Sequence, residues 1–348
     1  MFGPASFRTG RSRAFAFFCA FLFLFSFALT GCSQVPKKKL EIFALDTYVT
    51  ITLEGKDARE AMTECTDILA DMEGKLSRQR ADSEISALNR SSEESPVILS
   101  EETYALLSRV YGYSEKTEGS FDMTIAPLMD LWGFGNYGEH VPEQSEIDET
   151  LLRVDYRKVH LLSGNRAYVE PGTEVDLGGA AKGYIGDVLM EKLKEYDLRK
   201  IILDLGGNVC AWSSSSELNI GIADPDEPGK IFCTYALEKG ERMSVITSGS
   251  YERFFEENGV RYGHIMDTST GCPAVTDLLS VTVVGADGTR GDVYSTTLYA
   301  IGSEEAKKLA CEENIDCILC LDNGTLWVSS SLKGKVHAQE GRTIEYFS

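Results

Sequence analysis

Residues 175–189, V-D-L-G-G-A-A-K-G-Y-I-G-D-V-L, limit what this chain can fold into more than any other stretch. An apolar strand at 175–177 runs into Gly178 and Gly179, and Tyr184, Ile185, Val188, Leu189, Leu193 and Tyr196 then recur at the spacing of one helix face. A strand, a glycine turn and a helix in that order leave N–H groups without intrahelical partners where the helix begins. Such groups, with the positive end of the helix dipole, attract phosphate, and glycine lets a ligand approach the main chain. Asp176 and Lys182 flank the turn with a carboxylate and an amine. A tight strand-to-helix corner that binds nothing satisfies the same pattern. Neither G-x-x-x-x-G-K-[ST] nor G-x-G-x-x-G occurs in this stretch.

The first residues pose a separate problem. Arg8, Arg11 and Arg13 precede an apolar run at 14–29 that ends in Leu29-Thr30-Gly31-Cys32, the plan of an export signal. Leu-x-Gly-Cys resembles a bacterial lipobox, which implies cleavage before Cys32 and a diacylglycerol on its sulfur. The run is short against the roughly 20 residues a membrane span needs. The expected layout is a lipoprotein signal peptide at 1–31, a tether at 32–40, one folded domain at 41–335 and a tail at 336–348. Losing residues 1–31 removes three Arg and no acid, so the net charge moves from −20 to −23, 31 basic against 54 acidic side chains. A surface so acidic repels nucleic acid, and no basic stripe offsets it. It suits a domain anchored by lipid to the cell membrane and facing the extracytoplasmic side.

Seven cysteines remain after Cys19 and Cys32 are set aside, an odd number that argues against a complete disulfide framework. Cys317 and Cys320 lie in I-D-C-I-L-C-L, which reads as a buried strand; there, positions three apart face opposite ways, against a joint zinc or dithiol site.

Alternation with β-branched residues predicts an opening strand over 41–53, followed by a helix over 57–76. Ser100 is an N-cap for a helix ending near Gly119, and a Gly- and aromatic-rich stretch follows at 119–135. A strand at 200–205 ends in D-L-G-G-N, repeating the D-L-G-G of 176–179. Strands at about 217–222, 231–238, 243–247, 279–284, 316–321 and 325–329 alternate irregularly with helices at 291–301 and 303–313. The order predicts an α+β fold, a single large compact domain of mixed, largely antiparallel sheets with packed helices.

Two side-chain groups could carry chemistry. Asp292 and Thr296 lie four apart at a helix start, on one face, and a carboxylate with a hydroxyl suits Mg²⁺, with Ser295 adjacent. The same Asp292 could simply favour the helix N-terminus. His264, three residues before Asp267 and a turn at 268–271, could act as a general base or be structural.

Eight motifs in register resemble the ApbE family of FAD:protein FMN transferases: F-A-L-D-T at 43–47, D-S-E-I-S-A-L-N at 82–89, G-S-F-D-M-T through W-G-F-G at 119–135, V-D-L-G-G-A-A-K-G-Y at 175–184, D-L-G-G-N at 204–208, T-S-G-S-Y at 247–251, H-I-M-D-T-S-T-G at 264–271 and D-V-Y-S-T at 292–296. The resemblance implies Mg²⁺-dependent transfer of FMN from FAD to a Ser or Thr hydroxyl of an extracytoplasmic acceptor protein, with AMP released. It implies metal ligation by Asp292, Thr296 and the Gly179 main-chain oxygen, with Ser295 as an extra contact. It also implies FAD contacts at Leu45, Gln79, Ser120, Phe121, Asp122, Asp176, Lys182 and Met266, and His264 as the base.

Three positions depart from the family pattern. Leu45-Asp46 stands where many relatives have Met-Gly, Gln79 replaces a common aromatic, and Thr268 replaces a frequent Pro. The Gln79 difference leaves an FAD pyrophosphatase as one alternative, and a non-catalytic flavin-binding surface lipoprotein as another.

Overall fold

The computed structural model describes residues 35–134, 138–227 and 229–348; the leader, Cys32 and Gly135 lie outside the described residues. Nine strands form the central sheet, in the order Lys37–Ala44, Thr47–Gly55, Leu198–Leu205, Asn208–Ser213, Arg242–Ser248, Leu278–Gly285, Asp316–Leu321, Thr325–Ser329 and Thr343–Phe347. Every neighbouring pair is antiparallel except the last, which is parallel. The α+β expectation is met.

Period-two alternation decides what covers each face. Ile201, Leu203 and Leu205 enter one core with the helices Ala58–Leu76, Glu101–Lys116, Gly178–Lys192 and Gly288–Ile301, while Ile202 turns to the other side. There a three-stranded sheet, Val336–Ala338, Ile231–Leu237 and Leu218–Ala223, closes a second core around Phe232, Tyr235 and Val245. Cys317 belongs to the first core and Cys320 to the second, as positions three apart on a strand require. All seven described cysteines are free thiols.

Two boundaries differ from the sequence reading. The strand expected over 41–53 is a hairpin, Lys37–Ala44 against Thr47–Gly55, turning at Leu45 and Asp46 with φ of 54° and 61°. Leu45 gives no sign of that turn, because positive φ normally selects Gly, Asn or Asp. Part of the expected tether, from Lys37 on, is therefore strand. The expected tail also folds: Val336–Ala338 pairs with Ile231–Leu237, and Thr343–Phe347 closes the edge of the main sheet.

The repeated D-L-G-G has two different outcomes. At 176–179 it opens the helix Gly178–Lys192, whereas at 204–207 Gly206 and Gly207, at φ of 71° and 83°, make the two-residue turn between Leu198–Leu205 and Asn208–Ser213. The difference follows the next residues, Ala-Ala-Lys for the helix and Asn-Val-Cys for the strand.

Helices Gly178–Lys192 and Gly288–Ile301 cross through glycine. A Cβ on Gly183 would lie 2.1 Å from the Gly288 carbonyl oxygen, so only hydrogen fits there. Asp187 receives the N–H groups of Gly288 and Thr289 at 2.8 and 2.9 Å, fixing the start of the second helix against the first. This contact brings two distant motifs together.

Candidate active site

Asp292 is buried one turn into Gly288–Ile301, and its Oδ2 accepts the Gly183 N–H at 2.9 Å. In regular helix geometry the same N–H lies over the Gly179 carbonyl, so Asp292 meets the helix at the turn Gly179 opens. Gly179 itself sits against Thr296 and Phe121: a Cβ there would lie 3.6 Å from Thr296 Oγ1 and 3.0 Å from the Phe121 ring. The structure thus gathers Gly179, Asp292 and Thr296 at the helix crossing. Ser295 is fully buried, donates to the Asp292 carbonyl at 3.0 Å and meets Ser248 Oγ at 2.8 Å; Ser248 in turn reaches Thr296 Oγ1 at 3.3 Å. The Ser295 hydroxyl is engaged inside the protein, and Ser248 lies between it and the Thr296 hydroxyl.

The glycine corner is held from both sides. Asn89 pins Val175 through two main-chain hydrogen bonds of 2.7 and 2.9 Å. Asp176 Oδ1 accepts the Gly178 N–H at 2.7 Å, and its Oδ2 accepts Arg78 Nε at 2.7 Å. Arg78 also grips Asp130 with both terminal nitrogens, at 2.7 and 3.1 Å. Burial works against the Arg78 charge, but Asp130 and Asp176 outweigh it and push its pKa up. Gln79 follows directly, with its N–H on Ser77 Oγ at 3.3 Å. Lys182 Nζ turns back to the Gly178 carbonyl at 3.3 Å.

In the aromatic loop, the Asp122 carboxylate is occupied inside the protein. It takes the Thr124 N–H and hydroxyl at 2.8 and 2.6 Å and the Tyr156 N–H at 2.8 Å, and burial raises its pKa against those bonds. Ser120 donates its N–H to the Thr117 carbonyl at 2.9 Å. Trp132 Nε1 donates to the Gly271 carbonyl at 2.9 Å, tying this loop to the segment that carries His264 and the buried Met266.

His264 Nδ1 faces the Arg253 carbonyl at 3.2 Å, which assigns the proton to Nδ1 and leaves Nε2 with its lone pair. The ring is partly reached by solvent but crowded by protein. Burial first, with the Arg253 and Lys182 cations, outweighs the Arg253 carbonyl and lowers its pKa to about 4. Near neutral pH it is an uncharged acceptor. Arg253 also bonds the Phe134 carbonyl at 3.0 Å and Asp46 at 3.3 Å, so the hairpin tip that holds Leu45 is linked to His264.

A pocket of about 200 Å³ opens beside the second glycine turn, lined by Asp204, Gly207, Thr247, Tyr251 and Glu252 among others. Solvent reaches Glu252, yet the surrounding protein is dense. Desolvation first, with Asp292 and Asp204, lifts its carboxyl to about 7 against the pull of Lys182.

The ApbE family profile matches residues 45–319, most of the chain and every element of this cleft. The chain belongs to the ApbE family. Among curated relatives, the FAD:protein FMN transferase of Treponema pallidum is 32% identical over 308 residues, 83% of this chain and 84% of the relative. That of Klebsiella pneumoniae is 33% identical over 73% of this chain and 80% of its own length. Among solved structures, the ApbE protein from Thermotoga maritima superposes with a TM-score of 0.79 at 31% identity, covering 86% of this chain and 99% of that one. The flavin transferase ApbE from Vibrio cholerae gives 0.74 at 26% identity, with the same coverage.

In this ApbE-family chain, sequence reasoning missed Arg78, Asp130, Asp187, Arg253 and Glu252. Arg78 directly precedes Gln79, an expected flavin contact, which was the available signal. Arg253 and Glu252 followed the T-S-G-S-Y motif directly. Asp130 and Asp187 carried no signal in the sequence, because their partners lie 52 and 101 or more positions away.

Proposed function

We propose that this chain transfers FMN from FAD to a Ser or Thr hydroxyl of an acceptor protein, as an FAD:protein FMN transferase with Mg²⁺ as its metal. The observation that carries the reading is the convergence of Gly179, Asp292 and Thr296 at the glycine helix crossing, with His264 close enough to Lys182 of the same glycine corner to feel its charge.

The donor set fits a hard cation. One carboxylate, one hydroxyl and one main-chain oxygen leave room for phosphate oxygens and water, the usual habit of Mg²⁺. Among the described residues no group of three or more His, Cys, Asp or Glu is gathered to hold a metal, so the oxygens at the crossing are the donors to consider. Asp292, Thr296 and the Gly179 carbonyl would hold the ion, which when bound would neutralise charge on the two phosphates.

The chain's own residues supply the rest. Asp176, held by Arg78, closes the glycine corner, and the amides there and Lys182 bring positive potential to a pyrophosphate. His264 Nε2 takes the acceptor hydroxyl proton. The oxygen attacks the phosphorus on the FMN side, a new P–O bond forms, the phosphoanhydride P–O bond breaks, and AMP leaves with its electron pair. Positioning and charge neutralisation govern such displacements.

The leader supports placing this activity outside the cytoplasm, with Cys32 as the lipid anchor to the cell membrane. Incubation with FAD, Mg²⁺ and an acceptor should add one FMN to the acceptor by mass and release equimolar AMP. AMP release with no acceptor modified would make the protein a pyrophosphatase, and FAD binding without AMP release would make it a carrier.

A further inference from the structure

We infer that the exposed aromatic pair Phe43 and Tyr48, with the open strand edge beside it, docks an extended Ser- or Thr-bearing segment of the acceptor polypeptide. The inference rests on the transferase reading above and names where its protein substrate sits. Phe43 and Tyr48 face each other across the first hairpin, 65% and 80% exposed, with rings edge to face at 5.5 Å. Among the exposed large apolar side chains of the described residues, these two alone form a ring pair with each other. Aromatic side chains left in water at a rim are what interface anchors are made of.

The pair is held firmly and in a specific place. Leu40, Ile42 and Ala44 of the same strand pack into the helix-side core, so the hairpin is a fixed platform. Its tip is tied to the cleft by Asp46 on Arg253 at 3.3 Å, and Arg253 supplies the carbonyl that orients His264. The Gly206 turn presses on Thr47, since a Cβ at Gly206 would lie 2.2 Å from the Thr47 hydroxyl oxygen. The hairpin tip therefore lies within one arginine side chain of His264.

The strand edge adds the backbone contact. Lys37–Ala44 lies at the end of the nine-stranded sheet, with a strand neighbour on one side only among the described residues. Lys37, Lys38 and Lys39 guard its far half, the common device against unwanted pairing. The half next to the tip, Glu41, Ile42, Phe43 and Ala44, has no lysine. An extended segment can add there as a further strand, main chain to main chain, with the two rings gripping its side chains.

The test compares wild type with a Phe43→Ser/Tyr48→Ser double variant, both exposed positions outside the catalytic residues. The probe is a soluble Thr-bearing acceptor domain first shown by mass to gain FMN from the wild-type protein. The expected result is a KM for this acceptor raised by about 10- to 100-fold, with kcat at saturation, FAD affinity by flavin fluorescence and melting temperature unchanged. An unchanged acceptor KM overturns the inference, and so does a loss confined to kcat or to FAD binding. If no acceptor gains FMN from wild type while FAD is bound or hydrolysed, the transferase reading fails instead, and the docking surface falls with it.

Discussion

Replacing Gly183 with Ala tests the helix crossing on which the metal assignment depends. The new Cβ would stand 2.1 Å from the Gly288 carbonyl oxygen, 2.6 Å from its carbon and 2.9 Å from the Asp292 Cβ. An ordinary contact begins at 3.4 Å, so the helices must part by about 1.3 Å, and the obstacle is backbone that cannot rotate away. Overpacking of this kind costs about 1–3 kcal/mol. The Gly183 N–H to Asp292 bond, 2.9 Å in the buried crossing, is stretched by the same movement and adds about 1.5–3 kcal/mol if lost. The combined loss of about 2.5–6 kcal/mol should lower the melting temperature by on the order of 5–10 °C. Displacing Asp292 by an ångström should also cost on the order of 100-fold in Mg²⁺-dependent AMP release. Gly74→Ala and Gly112→Ala are the controls. Both lie inside helices with nothing within 4 Å of the added methyl, so each should hold or raise stability, by up to about 1 kcal/mol. Calorimetry of the three variants, with AMP quantified in parallel, decides the matter. A Gly183→Ala protein that melts and turns over like wild type would refute the crossing as described.

Asp292→Asn keeps an oxygen for the Gly183 N–H but removes the charge, so it should still fold while Mg²⁺-dependent AMP release collapses; full activity would remove the metal role. Arg78→Met leaves Asp130 and Asp176 facing each other without their cation, and breaking such a partly buried network should cost about 3–5 kcal/mol and weaken FAD binding, read by melting and flavin fluorescence; unchanged FAD affinity would detach this network from the ligand site. His264 is a competent base only when neutral, and with its pKa lowered to about 4 the corresponding limb of the pH–rate profile should fall as pH drops through about 4. Its contribution to stability should be complete above about 6.5 and decline as pH falls from there toward 4, because the unfolded chain binds the proton first; a limb at 6.5 that His264→Ala removes would contradict the crowded, neutral ring.

How far the sequence could be read depended on how far apart the partners lie. Ser100 caps the helix Glu101–Lys116 through the Thr103 N–H at 3.3 Å, a local event written in four residues. The strands Asp316–Leu321, a continuous apolar run, and Thr325–Ser329 fall where the sequence places them. Asp292 and Thr296 were legible as a pair because helix periodicity alone puts them on one face. Their alignment with Gly179 was legible only by resemblance, since it depends on two glycines, Gly183 and Gly288, meeting across 105 positions. The Leu45 turn was hidden for the opposite reason. Leu45 argues against positive φ, and the conformation is imposed by the strands on either side, whose register from Ala44 with Thr47 to Lys37 with Glu54 leaves two residues to reverse the chain. Left-handed backbone at a branched side chain is strained, and it occurs here at the tip linked through Asp46 to Arg253 and His264. Local preference is overridden at the position where the resemblance puts a flavin contact, which is where a fold gives up stability to aim a side chain.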